Sequence, residues 1–450
     1  MKLLISPGYV LLLFCLLPKD GTGQAVNTKN LPPLRLKMYA AEGLVWKGES
    51  AQNTNWNKIT QTPDGKIWFT GGDHWGTDAT IGNFSKSDNY ERPWGFGNTA
   101  ICSFDPSTEK VRLELELDRA SSIYANAETP GHGKIHGNIA SDSKGNLYFA
   151  GYMGMSYVHE YTRAYYPKSY AGGAILRYDP ASKHVDYLGI PSPYGATVAL
   201  YYDEKRDILN GITPDRALFW RVKISTMELN RYEPVARMSR LEDRVREMIM
   251  DRNGYCYFAN DIGGLTKFDP DNETFTDIDV IIPGVTRDFR ASVVSSGNII
   301  YCISTDGFVW SFDPETDRLS NLGHVIGIPG QGEYTPNIAL DEDWGRLYFI
   351  AGNHGGVVLE SALEILTVLD LKTGKFHWLG QVDGVEGCFG ALCAKDHTVY
   401  FSCFGNYYMD NEIEKDSYGK PITRPYLVKF NPPAQLGENN PGKGSKKLMK

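Results

Sequence analysis

Apolar and polar positions along this chain follow a pattern that repeats. Between Gly254 and Gly323 one phrase occurs twice: a turn, an aromatic-rich strand, a glycine, a second strand ending in Phe-Asp-Pro, a polar turn and a third strand. Alternating apolar and polar residues predict half-buried β-strands. Asp-Pro followed by small or charged residues is typical of turns, because proline presets φ and aspartate bonds the backbone that follows. Further copies of this phrase fill most of the chain.

Two marks identify the copies. The first is a turn followed by an apolar-aromatic triplet, found at 67–69, 147–149, 256–258, 300–302, 347–349 and 399–401, with a degenerate copy at 207–209. The second is a strand that runs into a turn, found at 104–106, 178–180, 268–270, 312–314, 369–371 and 430–432, with 220–224 in its place in the degenerate copy. The marks define about seven units of roughly 45 to 60 residues, within or just above the range of four-stranded propeller blades.

Such a repeat predicts an all-β fold, a seven-bladed β-propeller of four-stranded antiparallel blades. We name the strands of each blade a to d from the axis outward. The last copy ends on its c strand, Tyr426–Phe430. We expect the N-terminal segment Leu34–Tyr39 to supply the missing d strand, which closes the ring and removes two open sheet edges. A two-sheet sandwich is the alternative, and repeated units argue against it.

The ends of the chain are predicted to lie outside the propeller, which spans 30–435. Residues 1–25 have the features of a secretory signal: Lys2, a short apolar run and small residues before the expected cleavage point. The apolar run is too short to span a bilayer. Residues 436–450 form a basic tail with Gly and Asn around it, predicted to be flexible. We therefore expect a secreted or periplasmic protein without a membrane span.

The net charge limits the classes of partner that are expected, and the positions of the cysteines limit the possible disulfides. The formal net charge is -8, and a negative chain disfavours a phosphate backbone, so no nucleic-acid partner is expected. Of the seven cysteines, Cys388, Cys393 and Cys403 fall in the last unit. Cys393 and Cys403 flank a hairpin turn, so the sequence allows either a disulfide between them or free thiols. No Cys/His spacing matches a zinc site.

Loop lengths are asymmetric. The long insertions are all expected to join strands b and c of blades 1, 2, 6 and 7, which are neighbours in the ring: Gly71–Asn98, Gly151–Gly172, Ala351–Glu364 and Phe404–Pro425. Long loops on a rigid scaffold usually carry function. Their aromatic residues suit sugar rings, unless they pack the loops against one another. The candidate substrate-binding residues, in or near these loops, are His74, Trp75, Lys134, Tyr157, His354 and Tyr407.

Polar residues recur at equivalent positions of the innermost strands. One row holds Lys58, Asn138, Glu247, Arg290 and Asn337, and His136 lies two residues before Asn138. Residues two apart share a strand face, so these side chains are predicted to line the central channel. Buried charges need partners, so the row is either a neutralised structural network or a site. His136 suits a general base or acid, and the alternative is a satisfied hydrogen-bonding group.

The blade phrase, with its Leu-Tyr-Phe triplet and Phe-Asp-Pro turn, resembles secreted propellers of the gluconolactonase/SMP-30 and NHL-like type, and propeller polysaccharide lyases. The lactonase resemblance implies a central divalent cation, Ca²⁺ or another, held by Asn138, Glu247 and Asn337. Lys58 and Arg290 at the same level depart from that pattern. The lyase resemblance implies catalytic roles for His136 and for Tyr152, or another loop tyrosine, in proton transfer, and for Arg290 in neutralising a carboxylate.

The sequence therefore predicts a secreted carbohydrate-active propeller. The leading hypothesis is a polysaccharide lyase that acts on uronate-containing glycan by β-elimination, with an acidic polysaccharide or oligosaccharide as its partner. The alternatives are a metal-dependent lactonase or hydrolase, and a propeller that only binds glycan or protein. The blade phrase is specific for fold and weak for function, so the choice among them depends on the site.

Overall fold

The structure is a computed structural model, and it describes residues 31–41, 58–72, 99–117, 135–151, 172–192, 195, 197–213, 218–232, 247–327, 334–352, 364–409, 412–415, 419 and 423–436. The regular elements in these ranges are β-strands. No helix in this part of the chain is long and apolar enough to cross a membrane.

Strands are numbered in chain order, and the first two, β1 (Pro33–Leu34) and β2 (Lys37–Tyr39), precede the first blade. Blade 1 contains β3 (Thr60–Gln61), β4 (Ile67–Gly71), β5 (Ala100–Asp105) and β6 (Lys110–Glu116). Blade 2 contains β7 (Ala140–Ser141), β8 (Leu147–Ala150), β9 (Ile175–Asp179) and β10 (His184–Gly189). Blade 3 contains β11 (Ala199–Asp203), β12 (Ile208–Thr213), β13 (Leu218–Lys223) and β14 (Glu228–Tyr232).

The remaining blades repeat this order. Blade 4 contains β15 (Ile249–Met250), β16 (Cys256–Ala259), β17 (Leu265–Asp269) and β18 (Thr274–Ile278). Blade 5 contains β19 (Phe289–Val294), β20 (Ile300–Ser304), β21 (Phe308–Asp313) and β22 (Arg318–His324). Blade 6 contains β23 (Ala339–Asp341), β24 (Arg346–Ala351), β25 (Ile365–Asp370) and β26 (Lys375–Val382). Blade 7 contains β27 (Val385–Cys393), β28 (Val399–Asn406) and β31 (Thr423–Phe430), with a small hairpin of β29 (Tyr408–Met409) and β30 (Glu412–Ile413) before β31.

The apolar core lies mainly between neighbouring blades. Each apolar-aromatic triplet forms strand b, and its side chains alternate between the two faces of the blade. Phe69 and Phe104 of blade 1, for example, share a buried cluster with Tyr400 and Leu427 of blade 7. Blades therefore stabilise each other, and the predicted seven-bladed β-propeller is confirmed.

The central aromatic of several triplets also anchors its own a–b turn. Trp68 Nε1 donates a hydrogen bond to Thr62 Oγ1 (2.9 Å), and the Tyr148 hydroxyl donates to Asp142 Oδ2 (3.1 Å). Both aromatic side chains are buried. A buried polar tip needs such a partner, which explains why this position keeps Trp or Tyr in most copies of the phrase.

The N-terminal strand closes the ring, as predicted. Strand β2 runs antiparallel to β31, with Met38 opposite Val428, so β2 is the d strand of blade 7. Met38 is buried in the core between blades 6 and 7, and Tyr39 in the core between blades 7 and 1. The closing strand thus contributes to two interfaces between blades.

The prediction that the whole segment Leu34–Tyr39 pairs with β31 was wrong for the first residues of the segment. Pro33 and Leu34 form β1, which pairs in parallel with Gln381 and Val382 at the outer edge of blade 6. The backbone N–H of Asp383 donates to Leu34 O (2.9 Å). The open edge of blade 6 accepts these backbone groups before the chain crosses to blade 7, so the segment covers two adjacent edges.

Glu109 of blade 1 forms hydrogen bonds to the closing strand β2 and to its partner β31. It lies in the turn between β5 and β6, and its carboxylate accepts hydrogen bonds from Lys37 of β2 and, at 2.8 Å, from Lys429 of β31. The hydrogen bonds from Lys37 and Lys429 lower the pKa of Glu109 to about 2. The group is partly exposed, so its main effect is to join three chain segments at one carboxylate rather than to add a large ionic energy.

The long connections start and end at one face of the propeller, which we call the insertion face. The b–c connections of blades 1, 2, 6 and 7 are long, as predicted, and those of blades 3, 4 and 5 are short. The expectation that every long connection joins strands b and c was wrong. The d–a connections 117–139 and 233–248 are also long, and they start and end at the same face because strand a starts where strand b ends.

The cysteines of blade 7 do not face each other as the disulfide alternative required. Cys403 of β28 lies opposite Cys388 of β27, and Cys393 lies opposite Val399. The hairpin turn at 394–398 places Cys393 beside the first residue of β28, so Cys403 pairs further along β27, where two bulges shift the register. The structure contains no disulfide bond among the cysteines of the described ranges.

Removing the closing strand tests the architecture. A variant that starts at Ala40 lacks β1 and β2, so β31 exposes an unpaired edge. We expect a lower Tm and aggregation, measured by thermal unfolding and light scattering. A variant that starts at Asn30 keeps both strands and serves as the control. Equal melting temperatures for the two variants would contradict closure by β2.

Candidate functional site

Side chains from four blades meet in the central channel. Lys58 precedes β3, Tyr201 lies in β11, Glu247 precedes β15 and Ser292 lies in β19. Lys58 forms an ion pair with Glu247. The Tyr201 hydroxyl donates to Glu247 Oε1 (3.0 Å), accepts from Lys58 Nζ (3.4 Å) and lies 3.3 Å from Ser292 Oγ. We call these four residues the channel cluster.

The ion pair sets the protonation states of this cluster. Burial, the largest single effect, lowers the pKa of Lys58, but the charges and hydrogen bonds of Glu247 and Tyr201 together outweigh it and raise the pKa overall. Burial and the charge of Glu247 raise the pKa of Tyr201 to about 12, against opposing effects of Lys58 and Asn138. Glu247 is only 5% exposed, so its carboxylate depends on Lys58 as counter-charge. The cluster is therefore electrically neutral.

The three residues expected to hold a divalent cation do not fit one in this arrangement. Glu247 is already neutralised within the channel cluster, which Asn138 adjoins. The Asn337 side-chain oxygen accepts from Ile350 N (2.8 Å), and its nitrogen donates to Ile350 O (2.9 Å) and Cys388 O (3.2 Å). Asn337 thus ties blade 6 to blade 7. The described residues include no group of three or more His, Cys, Asp or Glu side chains arranged for a metal.

Arg290 is a cation at the channel mouth that has no counter-charge in the described part of the chain. It occupies a bulge at the start of β19, between Phe289 and Ala291. Its Nε donates to Thr305 Oγ1 (3.1 Å), and its guanidinium lies 5.6 Å from the centroid of the Tyr334 ring. Within the described residues, its two Nη groups donate no hydrogen bond and meet no carboxylate. An oriented, unpaired guanidinium is suited to bind a carboxylate through two parallel hydrogen bonds.

An aromatic row supports Arg290 from the neighbouring blades. The Tyr334 ring lies 6.0 Å from the Phe389 ring in an edge-on contact, and Phe389 stacks on Phe404 at 5.9 Å. Tyr334 precedes β23 of blade 6, and the two phenylalanines lie in β27 and β28 of blade 7. Packing across blades 5, 6 and 7 therefore fixes the position of the guanidinium.

His136 lies before β7 of blade 2 and is half-buried. A Cβ at the next residue, Gly137, would lie 3.3 Å from the backbone of Val198 and Ala199, so close packing on blade 3 fixes this part of the chain. Blades 2 and 5, which carry His136 and Arg290, are three positions apart in the ring. The same separation holds for the two members of the channel ion pair, which meet across the channel. His136 and Arg290 therefore belong to blades on opposite sides of the channel.

Tyr407 packs against its own blade. Its ring centroid lies 5.9 Å from that of Tyr426 and 5.1 Å from the Arg424 guanidinium. Arg424 in turn forms a 2.7 Å salt bridge with Glu414 beside β30. Tyr407 thus supports the blade 7 insertion, and its role in substrate binding stays a prediction. The other loop candidates lie outside the described residues, so their roles also stay predictions: His74, Trp75, Lys134, Tyr152, Tyr157 and His354.

An acidic pair that the sequence analysis missed lies between blades 6 and 7 at the insertion face. Glu364 directly precedes β25 and is 2% exposed, and its Oε1 has no hydrogen-bond partner among the described residues. Burial, with the charge of Glu386, raises the pKa of Glu364 to about 8, and burial raises the pKa of Glu386. A Cβ at position 352 would lie 2.2 Å from Glu364 Oε2, so Gly352 leaves room for the carboxyl group in its present position.

The sequence contains a feature that could have identified Glu364 as unusual. In the first five blades the residue before strand c is small: Thr99, Ala174, Ala217, Gly264 and Gly307. An acid at this position of blade 6 departs from the repeat. The sequence could also have identified Tyr201 and Ser292. Ala199 and Arg290 occupy the position of the aligned polar row in their blades, and Tyr201 and Ser292 lie two residues after them. Residues two apart share a strand face, so both side chains are expected to face the channel.

The fold and its channel define the class of protein, a seven-bladed β-propeller, and known structures confirm the fold-level resemblance. A streptogramin B lyase structure matches with a TM-score of 0.54 and 10% sequence identity, over 88% of this chain and 97% of that chain. The extracellular domain of the putative hybrid two-component system BT4673 from B. thetaiotaomicron matches with a TM-score of 0.52 and 12% identity, over 88% of this chain and 43% of that one. The structure of U3-55K matches with a TM-score of 0.51 and 10% identity, over 87% and 98% of the two chains.

These likenesses show the fold alone, because all three identities are low. The chain spans less than half of the two-component system structure. No protein-family model matches the chain, and no curated protein matches it. A lyase, a sensor domain and U3-55K share this architecture, so the function has to be argued from the site.

Glu364→Gln tests the buried acid through the pH dependence of stability. The folded pKa of about 8 lies above the ordinary value of 4.5, so the cost of ionising Glu364 is absent below pH 4.5 and grows as the pH rises toward 8. We expect the variant to have a higher Tm at pH 8 and no gain at pH 4, with a difference on the order of 3 kcal/mol at pH 7. Glu315→Gln, at an exposed position, is the control. Parallel pH profiles for Glu364→Gln and the wild type would contradict the assignment.

A double-mutant cycle tests the channel ion pair. Lys58→Met leaves the Glu247 carboxylate buried without its counter-charge, which we expect to cost about 3 to 5 kcal/mol in urea unfolding. The double variant Lys58→Met/Glu247→Gln removes both charges, so part of that loss should be recovered. Additive effects of the two substitutions would show that the pair is not coupled.

Proposed function

We propose that this chain is a secreted carbohydrate-active propeller, and specifically a polysaccharide lyase that cleaves uronate-containing glycan by β-elimination. The proposal rests on the uncompensated charge of Arg290. Its guanidinium is oriented by Thr305 and Tyr334 and has no counter-charge in the described part of the chain, whereas Lys58 is neutralised by Glu247. In a chain of net charge -8, an uncompensated cation at a channel mouth favours an anionic ligand.

The chemistry of β-elimination matches the residues around this mouth. A base removes the proton on C5 of the uronate, the C4–O bond breaks, a C4=C5 double bond forms, and an acid protonates the departing oxygen. The charge that develops passes into the carboxylate, so a guanidinium bound there stabilises the transition state. In this proposal Arg290 binds the carboxylate and His136 takes the C5 proton. Tyr152 or another loop tyrosine protonates the leaving group, and Lys134 is a second candidate cation.

Two other functions remain as alternatives to be distinguished by experiment. A metal-dependent lactonase needs a bound divalent cation. The arrangement of Asn138, Glu247 and Asn337 does not favour the binding of such a cation. A propeller that only binds glycan or protein would use the same insertion face without turnover. The likeness to an extracellular domain is compatible with export, and the predicted signal at residues 1–25 supports it.

Ultraviolet absorbance of the unsaturated uronate product tests the proposal. The purified protein is screened over acidic polysaccharides, and we expect absorbance to rise with at least one uronate polymer. Arg290→Gln should lower kcat/KM by about 100-fold or more, and Arg290→Lys should retain part of the activity. Arg318→Gln, at an exposed position of the same blade, is the matched control.

The remaining outcomes separate the alternatives. No absorbance with any uronate polymer would exclude the lyase. Acid release without absorbance, lost on chelation, would favour the lactonase. Glycan binding without turnover would leave a binding protein.

A further inference from the structure

Two buried thiols lie opposite each other on the inner strands of blade 7. Cys388 of β27 and Cys403 of β28 are register partners, 4% and 0% exposed. The two groups are close enough to influence each other's protonation. Directly opposed residues of an antiparallel pair have Cβ atoms about 4.5 to 5.5 Å apart, or closer. A disulfide requires about 3.5 to 4.5 Å, so only a small approach is needed, and the bulge next to Cys388 provides local freedom.

We propose that Cys388 and Cys403 form a cross-strand disulfide in the mature protein. The other cysteines of the described chain have no such partner. Cys393 lies opposite Val399, and Cys102, Cys256 and Cys302 belong to three separate apolar clusters in other blades. The pairing is therefore unique within the described residues, and it differs from the pairing considered from the sequence.

The bond forms by exchange with a small-molecule disulfide, such as oxidised glutathione. One cysteine thiolate attacks a sulfur of the small disulfide, which forms a mixed disulfide and releases one small thiol. The second cysteine then attacks the protein sulfur of the mixed disulfide and releases the second small thiol. The two protons lost by the cysteines are gained by the two released thiolates, so the exchange balances.

The burial of the two thiols indicates when the disulfide forms. Burial raises the pKa of both thiols, so little thiolate exists in the folded blade and exchange there is slow. The disulfide therefore forms while blade 7 is still folding, which in an exported protein takes place in an oxidising compartment.

The disulfide also stiffens the support of the channel mouth. Phe389 follows Cys388, Phe404 follows Cys403, and these two rings stack on each other. Phe389 contacts Tyr334, whose ring lies under the Arg290 guanidinium. A bond between the two cysteines thus fixes the distal end of the aromatic row. This consequence holds whichever reaction the protein carries out.

Thiol counting with matched variants tests the pairing. The protein is refolded with oxidised and reduced glutathione, denatured and alkylated before and after reduction. We expect two fewer alkylated thiols before reduction. Tryptic fragments 376–395 and 396–415 should be linked in the wild type and in Cys393→Ser, and separate in Cys388→Ser and Cys403→Ser. Adding chymotrypsin to the wild-type digest separates Cys388 from Cys393, so the result does not depend on how the variants fold.

Other outcomes would overturn the proposal. These are equal thiol counts before and after reduction, a link that maps to Cys393, or a link that persists in Cys388→Ser. A supporting readout is thermal unfolding: reductant should lower the Tm of the wild type and of Cys393→Ser, and leave that of Cys388→Ser unchanged.

Discussion

The pairing of β2 with β31 is the interaction on which the rest of the ring depends. Each blade buries its faces on its two neighbours, so a propeller with an incomplete last blade loses packing on both sides of the gap. The closing strand supplies backbone partners, two buried side chains and, through Lys37, a link to Glu109 of blade 1. Only a closed ring holds blades 1 and 4 at the separation at which Lys58 meets Glu247.

That ring geometry determines how charge is distributed along the channel. The ion pair neutralises the centre, and the Tyr201 hydroxyl bridges it to blade 5 through Ser292. Arg290 is left at the mouth, oriented by Thr305 and an aromatic row but without a counter-charge among the described residues. Glu364 lies at the same face, buried at a cost in stability. Groups that are unfavourable for folding and concentrated at one face are typical of functional sites.

The fold was predictable from the sequence because each blade repeats the same local rules. The triplets, the Asp-Pro turns and the N-terminal strand each follow from periodicity and turn chemistry. Side-chain partners were less accessible, since they depend on contacts between blades far apart in sequence. Lys58 and Glu247 were recognised as one row, yet only the structure shows that they neutralise each other. Asn337 was aligned correctly, but a bond to the blade 7 backbone gives it a structural role that its position alone does not reveal.

In the proposed function, Arg290 at the channel mouth binds a carboxylate. Calorimetric titration with a uronate oligosaccharide and with its methyl ester tests this most directly, because the two ligands differ only in charge. We expect the acid form to bind at least about tenfold more tightly. We also expect added salt to weaken this preference and Arg290→Gln to abolish it. Equal affinities of the wild-type protein for the acid and the ester would contradict this role of Arg290.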